Sequence, residues 1–94
     1  CIEVQPRYLQ SLKARGFRAY GEDFLLSRVA PLFDRVVMNP PFDGGRDIDH
    51  VTHALKALKI GGRLVSVMAA GVEFREDAKP RAFRAMVERH GGRF

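Results

Sequence analysis

The chain has 94 residues, of which 46% are hydrophobic and 29% are charged. That length fits one small domain or part of a larger one, and the composition is that of a globular protein, which excludes disordered and collagen-like chains. No apolar run approaches the ~18 residues of a membrane helix, and no basic segment followed by an apolar one suggests a leader. The formal net charge of +5 favours a negatively charged partner, although a genome whose codons favour arginine produces the same balance.

The first third of the chain predicts strand, helix and strand. Residues 1–4 (CIEV) form a short apolar run that is typical of the end of a strand. Residues 6–16 predict a helix, with Pro6 at the first helical position, where proline is favourable. Residues 17–20 (FRAY) predict a short strand, and residues 21–33 a loop or a short helix.

The centre of the chain gives the clearest pattern. Residues 34–38 (DRVVM) predict a buried strand, because they are β-branched and apolar and end at two prolines. Residues 47–62 predict an amphipathic helix with Asp47 as its N-cap. The apolar face of that helix consists of Ile48, Val51, Leu55 and Leu58.

The last third predicts a strand over residues 63–70 and a helix over residues 80–92 that begins at Pro80. Strands that alternate with helices predict an α/β fold with a doubly wound, mostly parallel sheet. The first strand has almost no length and the last helix leads into no further strand. We therefore expect residues 1–94 to be the central part of a single domain whose sheet is incomplete at both ends.

Residues 39–42 (NPPF) follow the predicted strand directly, where ligands of open parallel sheets bind. Asn39 carries a side-chain carbonyl acceptor, and the backbone oxygen of Pro40 is a second acceptor close by. A planar amino group has two N–H donors that match this pair, and Phe42 offers a face on which its ring can stack. Two acceptors of this kind would orient the nitrogen lone pair without a general base.

The NPPF tetrapeptide resembles the (Asp/Asn/Ser)-Pro-Pro-(Tyr/Phe/Trp) signature of class I S-adenosylmethionine-dependent methyltransferases that modify exocyclic or amide nitrogens. That group includes DNA adenine methyltransferases, ribosomal RNA guanine methyltransferases and release-factor glutamine methyltransferases. The resemblance extends over nearly the whole chain but covers only the middle of the family's domain. It implies a Rossmann-like fold, catalytic roles for Asn39, Pro40, Pro41 and Phe42, and S-adenosylmethionine as cofactor.

The resemblance also implies a set of cofactor contacts. Glu3, with Val4 beside it, falls at the end of the family's second strand and would hold the ribose hydroxyls. Asp23 would contact the adenine amino group, and Phe24 would pack against the adenine. Both acids also fit plainer interpretations, because Glu3 is compatible with a solvated strand end and Asp23 with a turn or an N-cap. The implied cofactor-binding set is Glu3, Val4, Asp23, Phe24 and Asn39.

The function we expect from this resemblance is methyl transfer to an exocyclic amine, that of adenine in DNA. An RNA base and a protein glutamine are alternative acceptors. A non-catalytic methyltransferase-fold module for nucleic-acid binding or assembly is a further alternative, since the family's glycine-rich cofactor loop has no counterpart here. The single cysteine, Cys1, excludes an internal disulfide and favours a reducing compartment such as the cytoplasm. We expect no metal and no membrane partner.

Three other features have two interpretations each. His50 and His53, three residues apart, fit either a metal site or, more simply, a solvent-facing polar stripe. Gly44 and Gly45 fit either a loop that moves over a substrate or a plain connector. A basic run in the last third fits either nucleic-acid phosphates or a solvated helix face. That run consists of Arg75, Lys79, Arg81 and Arg84.

Overall fold

The computed structural model describes residues 2, 5–18, 20–21, 23–26, 28 and 30–94. This part of the chain is a small α/β protein with a two-stranded parallel sheet and three α-helices, which confirms the predicted α/β class. Its elements are α1 (Pro6–Ala14), β1 (Phe33–Met38), α2 (Arg46–Ala54), β2 (Leu58–Ser66) and α3 (Ala78–Arg89).

β1, α2 and β2 form a β-α-β unit. The two strands run parallel, with Val37 opposite Val65 and Met38 opposite Ser66. The ladder extends by one bond past the end of β2, because the Val67 N–H donates to the Met38 carbonyl at 3.2 Å. Both strands therefore end at the same edge of the sheet, and the segments that follow them lie side by side.

The core lies between one face of this sheet and the two helices α2 and α3. The strands present Met38 and Leu64 to the core, where both are half-buried. α2 supplies two residues of its predicted apolar face, and α3 supplies Phe83. Hydrophobic burial of this kind stabilises by roughly 25 cal/mol per Å² of apolar surface, so it holds α2 and α3 on the sheet. The buried members of the cluster are Ile48, Val51, Val72 and Phe83.

The other face of the sheet is open in the described part of the chain. Val37 is 84% exposed and Val65, its partner across the strands, is 56% exposed. The prediction of a strand over residues 34–38 is confirmed, but the prediction that it is buried is wrong for this face. The reason is that both helices that follow the strands pack on the same side.

The first segment agrees with its prediction only in part. α1 begins at Pro6, as predicted, and ends at Ala14 with Arg15 as its C-cap. Of the two predicted short strands, Ile2 and Tyr20 form an isolated parallel bridge. Phe17 and Arg18 lie outside any strand, so the prediction of a strand over residues 17–20 is wrong for these two residues. Glu3 and Val4 lie outside the described residues.

The predicted boundaries around α2 and β2 are wrong in three respects. Asp47 is not the N-cap, because Gly45 occupies that position and the helix begins at Arg46. The helix ends at Ala54 and continues only as a 3-10 turn over Leu55–Ala57, so it does not reach residue 62. β2 begins at Leu58, inside the predicted helix, because this residue pairs with Phe33 of β1.

The last predicted elements are shifted by a few residues. The predicted strand over residues 63–70 ends at Ser66, and Ala70–Glu73 form a 3-10 turn that buries Val72 against the core. α3 begins at Ala78, two residues before Pro80. Among the described residues, no helix combines the length and apolar character that crossing a bilayer requires.

Candidate functional site

The NPPF loop, residues 39–42, connects β1 to α2 at the carboxyl edge of the sheet. Two consecutive prolines end β1 here because neither can donate a ladder hydrogen bond. Pro40 is buried and Pro41 is half-buried, which anchors the middle of the loop. Asn39 and Phe42 at its two ends are exposed, with 42% of Phe42 accessible. The loop thus presents an amide and an aromatic ring from a fixed backbone.

Neither proposed acceptor in this loop is engaged by an internal hydrogen bond within the described residues. The Asn39 side chain forms no hydrogen bond in the described part of the chain, and no backbone N–H there donates to the Pro40 carbonyl. Carbonyl oxygens seek donors, and an unpaired buried one is costly. An incoming amino group can therefore bind to this pair without displacing an internal hydrogen bond.

Two glycines turn the chain from the NPPF loop into α2. Gly44 has φ 60° and Gly45 has φ 74°, which is the left-handed region that favours glycine. The turn Asp43–Gly45 is closed by the Arg46 N–H, which donates to the Asp43 carbonyl. These glycines are therefore required by the geometry of the turn, whichever of their two predicted roles applies.

Asp47 lies near the NPPF loop. The sequence predicted it as the N-cap of the helix that follows the loop, and the structure gives it a different role. Its side chain is 1% exposed, and the two oxygens accept the Ile48 and Ala69 N–H groups, each at 2.9 Å. Asp47, Phe42 and Ala69 share the lining of a small cavity of about 130 Å³ at the edge of the sheet. The sequence offered one indication of this burial. Asp47 is the second residue of a helix that has a strong apolar face.

Asp23 and Phe24 lie beside α2. The Asp23 Oδ1 accepts the Leu25 N–H at 3.0 Å, so Asp23 caps the 3-10 turn Phe24–Leu26, as its plainer interpretation predicts. Its side chain is exposed, and Oδ2 has no partner among the described residues. The Phe24 ring is half-buried against α2, with the centroid of His53 at 4.9 Å and that of His50 at 5.5 Å.

The predicted solvent-facing stripe of His50 and His53 is wrong. His50 is buried and His53 is half-buried, because Phe24 covers both. Burial lowers the pKa of His50, and the Arg46 guanidinium lowers it further, against the opposing carboxylates of Asp23 and Asp49. Within the described residues, no group of three or more His, Cys, Asp or Glu side chains lies close enough together to hold a metal ion.

Every member of the basic run is already paired with an acid. Lys79 at the start of α3 contacts Asp49 of α2 at 2.9 Å, and Arg84 also donates to the Val72 and Arg75 carbonyls at 2.9 Å and 2.7 Å. These contacts tie α3 to its neighbours, which agrees with the interpretation of the run as a helix face. The other ion pairs are Arg75–Asp77 at 3.1 Å, Arg81–Glu76 at 3.6 Å and Arg84–Glu76 at 3.9 Å.

We compared the chain with known protein families, with characterised proteins and with solved structures, and none of the three comparisons found a match. The function is therefore argued from the site. The structure brings Asn39, Pro40 and Phe42 together in one loop. Asp23 and Phe24 lie against the helix that follows the loop, and Glu3 and Val4 are outside the described residues.

Proposed function

We propose that this protein transfers a methyl group from S-adenosylmethionine to the exocyclic amino nitrogen of adenine in DNA. The observation that carries the proposal is the NPPF loop: two unengaged carbonyl oxygens and an exposed aromatic ring follow β1 of a β-α-β unit. Ligands bind at this edge of parallel sheets. A Rossmann-like, doubly wound sheet and a location in the cytoplasm belong to the same proposal.

The loop suits an amine that is conjugated to a ring. The lone pair of such a nitrogen is delocalised, so it attacks an electrophile poorly. The Asn39 Oδ1 and the Pro40 carbonyl oxygen would each accept one of its N–H groups and draw the nitrogen toward tetrahedral geometry. As the nitrogen bonds to the methyl carbon, the carbon–sulfur bond of the cofactor would break and the neutral thioether would leave. The nitrogen would gain positive charge, which the two oxygens would stabilise until one of its protons passes to solvent. Phe42 would hold the plane of the base by stacking.

The cofactor would supply a methyl group carried on a positively charged sulfur. Asp23 fits one of its contacts, because the exposed carboxylate engages only one oxygen internally and can accept an adenine amino group with the other. Phe24 fits a second contact, because the two histidines hold its ring in place and leave it half-exposed. Phe24 lies against α2, the helix that follows the NPPF loop, and Asp23 precedes it in the chain.

DNA is the acceptor polymer that fits the charge of the chain. A formal net charge of +5 attracts the phosphate backbone without specifying a sequence. A base within a duplex cannot reach acceptors at the edge of a sheet, so the adenine would be flipped out and stacked on Phe42. The small cavity beside Phe42 would provide a concave surface for that base.

Methyl transfer from labelled cofactor onto duplex DNA, RNA and a glutamine-containing release factor tests the proposal. We expect label on DNA adenine. Asn39→Ala should lower kcat by about 100-fold, the loss expected for one preorganised polar group. Asn39→Asp keeps an oxygen acceptor and serves as the matched control, with activity close to that of the wild type.

Three outcomes count against the proposal as stated. Label on RNA or on the release factor would reassign the acceptor. DNA binding without transfer to any of the three acceptors would favour the non-catalytic module. Near-normal turnover of Asn39→Ala would remove the amide from the mechanism, even if the protein methylates DNA.

A further inference from the structure

Asp47 joins the first turn of α2 to a loop that lies far along the chain. It lies in the first turn of α2, five residues after Phe42, and its side chain is 1% exposed. One oxygen accepts the N–H of Ile48 in its own helix, at 2.9 Å. The other accepts the N–H of Ala69 at 2.9 Å, and Ala69 is 22 residues further along the chain.

Ala69 belongs to residues 67–69, which we call the exit loop because they leave the carboxyl end of β2. The exit loop runs beside the start of the NPPF loop, since the Val67 N–H donates to the Met38 carbonyl at 3.2 Å. Phe42, Asp47 and Ala69 line the same cavity of about 130 Å³. The Asp47 carboxylate is therefore one of the contacts that place the exit loop beside the NPPF loop, together with the Val67–Met38 hydrogen bond.

We propose that Asp47 is a positioning residue that holds the exit loop at a fixed distance from the NPPF loop. This inference rests on the proposed function, because the reaction it serves is transfer to an amine held by Asn39 and Pro40. Asp47 does not itself face the acceptor. It sets the wall of the cavity beside Phe42, and so the room in which the acceptor ring can lie.

The chemistry of the contact supports a positional role. A buried carboxylate that accepts two N–H groups is directional, because each bond weakens steeply as its angle departs from linear. Removal of the acceptor would leave the Ala69 N–H without a partner, and the exit loop would shift to regain one. A misplacement of about 1 Å near the reacting atoms can cost about 100-fold in rate.

The first test compares Asp47→Asn with Asp49→Asn. The amide at position 47 can accept one N–H but turns its own N–H₂ toward the other, so one of the two bonds is lost. We expect kcat per folded molecule to fall by about 30-fold or more, with the acceptor KM and cofactor binding within about threefold. Asp49→Asn makes the same change of charge in the same helix, breaks the exposed pair with Lys79 and leaves both Asp47 hydrogen bonds in place. Its kcat should stay within about threefold of the wild type.

The second test removes the donor of the same hydrogen bond, the Ala69 N–H, instead of its acceptor. It applies if Asp47→Asn does not fold. Ala69 has φ −62° and ψ 137°, which proline adopts without strain, so Ala69→Pro removes the N–H that Asp47 binds. Ala70→Pro is its matched control, because Ala70 begins the turn Ala70–Glu73, where an N–H has no partner within the turn. Ala69→Pro should lower kcat as Asp47→Asn does, and Ala70→Pro should not.

A purely structural role would lower the melting temperature of the Asp47 and Ala69 variants and leave kcat per folded molecule at the wild-type value. That result, with an active wild type and active controls, overturns the positioning role and leaves the proposed function intact. An inactive wild type on all three acceptors overturns the proposed function and, with it, the role assigned to Asp47. A fall in kcat confined to Asp47→Asn and Ala69→Pro supports both.

Discussion

The ring of Phe24 packs against the ring of His50, with their centroids 5.5 Å apart and their planes tilted by 34°. His50 is buried by this contact, and its Nε2 has no hydrogen-bond partner among the residues that the structure describes. An unpartnered buried nitrogen tolerates the neutral imidazole far better than the imidazolium, because a buried charge needs a partner. The packing of Phe24 on α2 is therefore coupled to the protonation of His50.

The first prediction concerns the dependence of stability on pH. The pKa of His50 is lowered in the folded protein, chiefly by burial and next by the Arg46 guanidinium, while Asp23, Asp49 and His53 are the other charged or titratable groups that act on it. Histidine has an ordinary pKa of 6.5. Around and below that pH, the unfolded chain therefore binds a proton on His50 more readily than the folded chain does. The free energy of unfolding should fall as the pH drops below about 6.5, by at most about 1.4 kcal/mol per pH unit for one site.

Urea unfolding of the wild type and of His50→Gln at several values between about pH 5 and pH 8 measures this effect. The slope in the acid range should be smaller in His50→Gln than in the wild type. His90→Gln is the control, because that side chain is exposed, and its slope should match the wild type. Equal slopes in all three proteins would show that His50 does not couple folding to pH.

The histidine pair also shows where sequence reasoning reached its limit. The spacing of His50 and His53 correctly places both on one side of a helix. Which side is buried depends on Phe24, which lies outside the helix and 26 residues before His50 in the chain. Helical periodicity describes neighbours within one element, so a contact with a separate turn is invisible to it. The end of β1 before Asn39, by contrast, was predictable because proline acts locally.

The second prediction concerns the turn into α2. Gly45 has φ 74°, a conformation that costs an ordinary L-residue about 1 to 2 kcal/mol. Gly45→Ala should lower the free energy of unfolding by that amount, measured by urea denaturation. Gly45→Asn places the same Cβ near the Lys79 side chain, but asparagine tolerates left-handed φ, so its loss should be clearly smaller. Equal losses in the two variants would assign the cost to the contact with Lys79 rather than to the backbone.

The end of α2 illustrates how tertiary pairing overrides a local pattern. The apolar spacing of Leu55 and Leu58 predicted a helix that continued to the glycines. In the structure Leu58 pairs with Phe33, and β2 starts three residues before Gly61. A Cβ on Gly62 would lie 2.9 Å from the Asp34 carbonyl, so the glycine permits β2 to approach β1 closely. Glycine after a helical pattern is an ordinary helix-end signal, and nothing local distinguishes it from a glycine required by a neighbouring strand.

The third prediction concerns Phe42 and the acceptor base. Stacking of a base on an aromatic side chain is worth about 1 to 3 kcal/mol, and Phe42 is the exposed ring of the NPPF loop. Phe42→Ala should raise the KM for an adenine-containing oligonucleotide about 10-fold or more, whereas Phe42→Tyr should stay within about threefold. Phe33→Ala is the control, because Phe33 is an exposed ring that begins β1 at the end opposite the NPPF loop, and its KM should match the wild type. A KM unchanged in Phe42→Ala would exclude stacking on this ring.

The fourth prediction compares two arginines of the basic run, Arg84, which binds backbone carbonyls, and Arg81, which makes an exposed ion pair. The Arg84 guanidinium donates to the Val72 and Arg75 carbonyls and is 22% exposed, so it closes the segment before α3. Arg84→Met should lower the free energy of unfolding by about 2 kcal/mol, because both carbonyls lose a charged donor. Arg81→Met should change it by less than about 0.5 kcal/mol, since Arg81 makes one exposed ion pair with Glu76. Chemical denaturation of the two variants decides the matter: equal stabilities would mean that the Arg84 contacts add nothing beyond an ordinary surface charge.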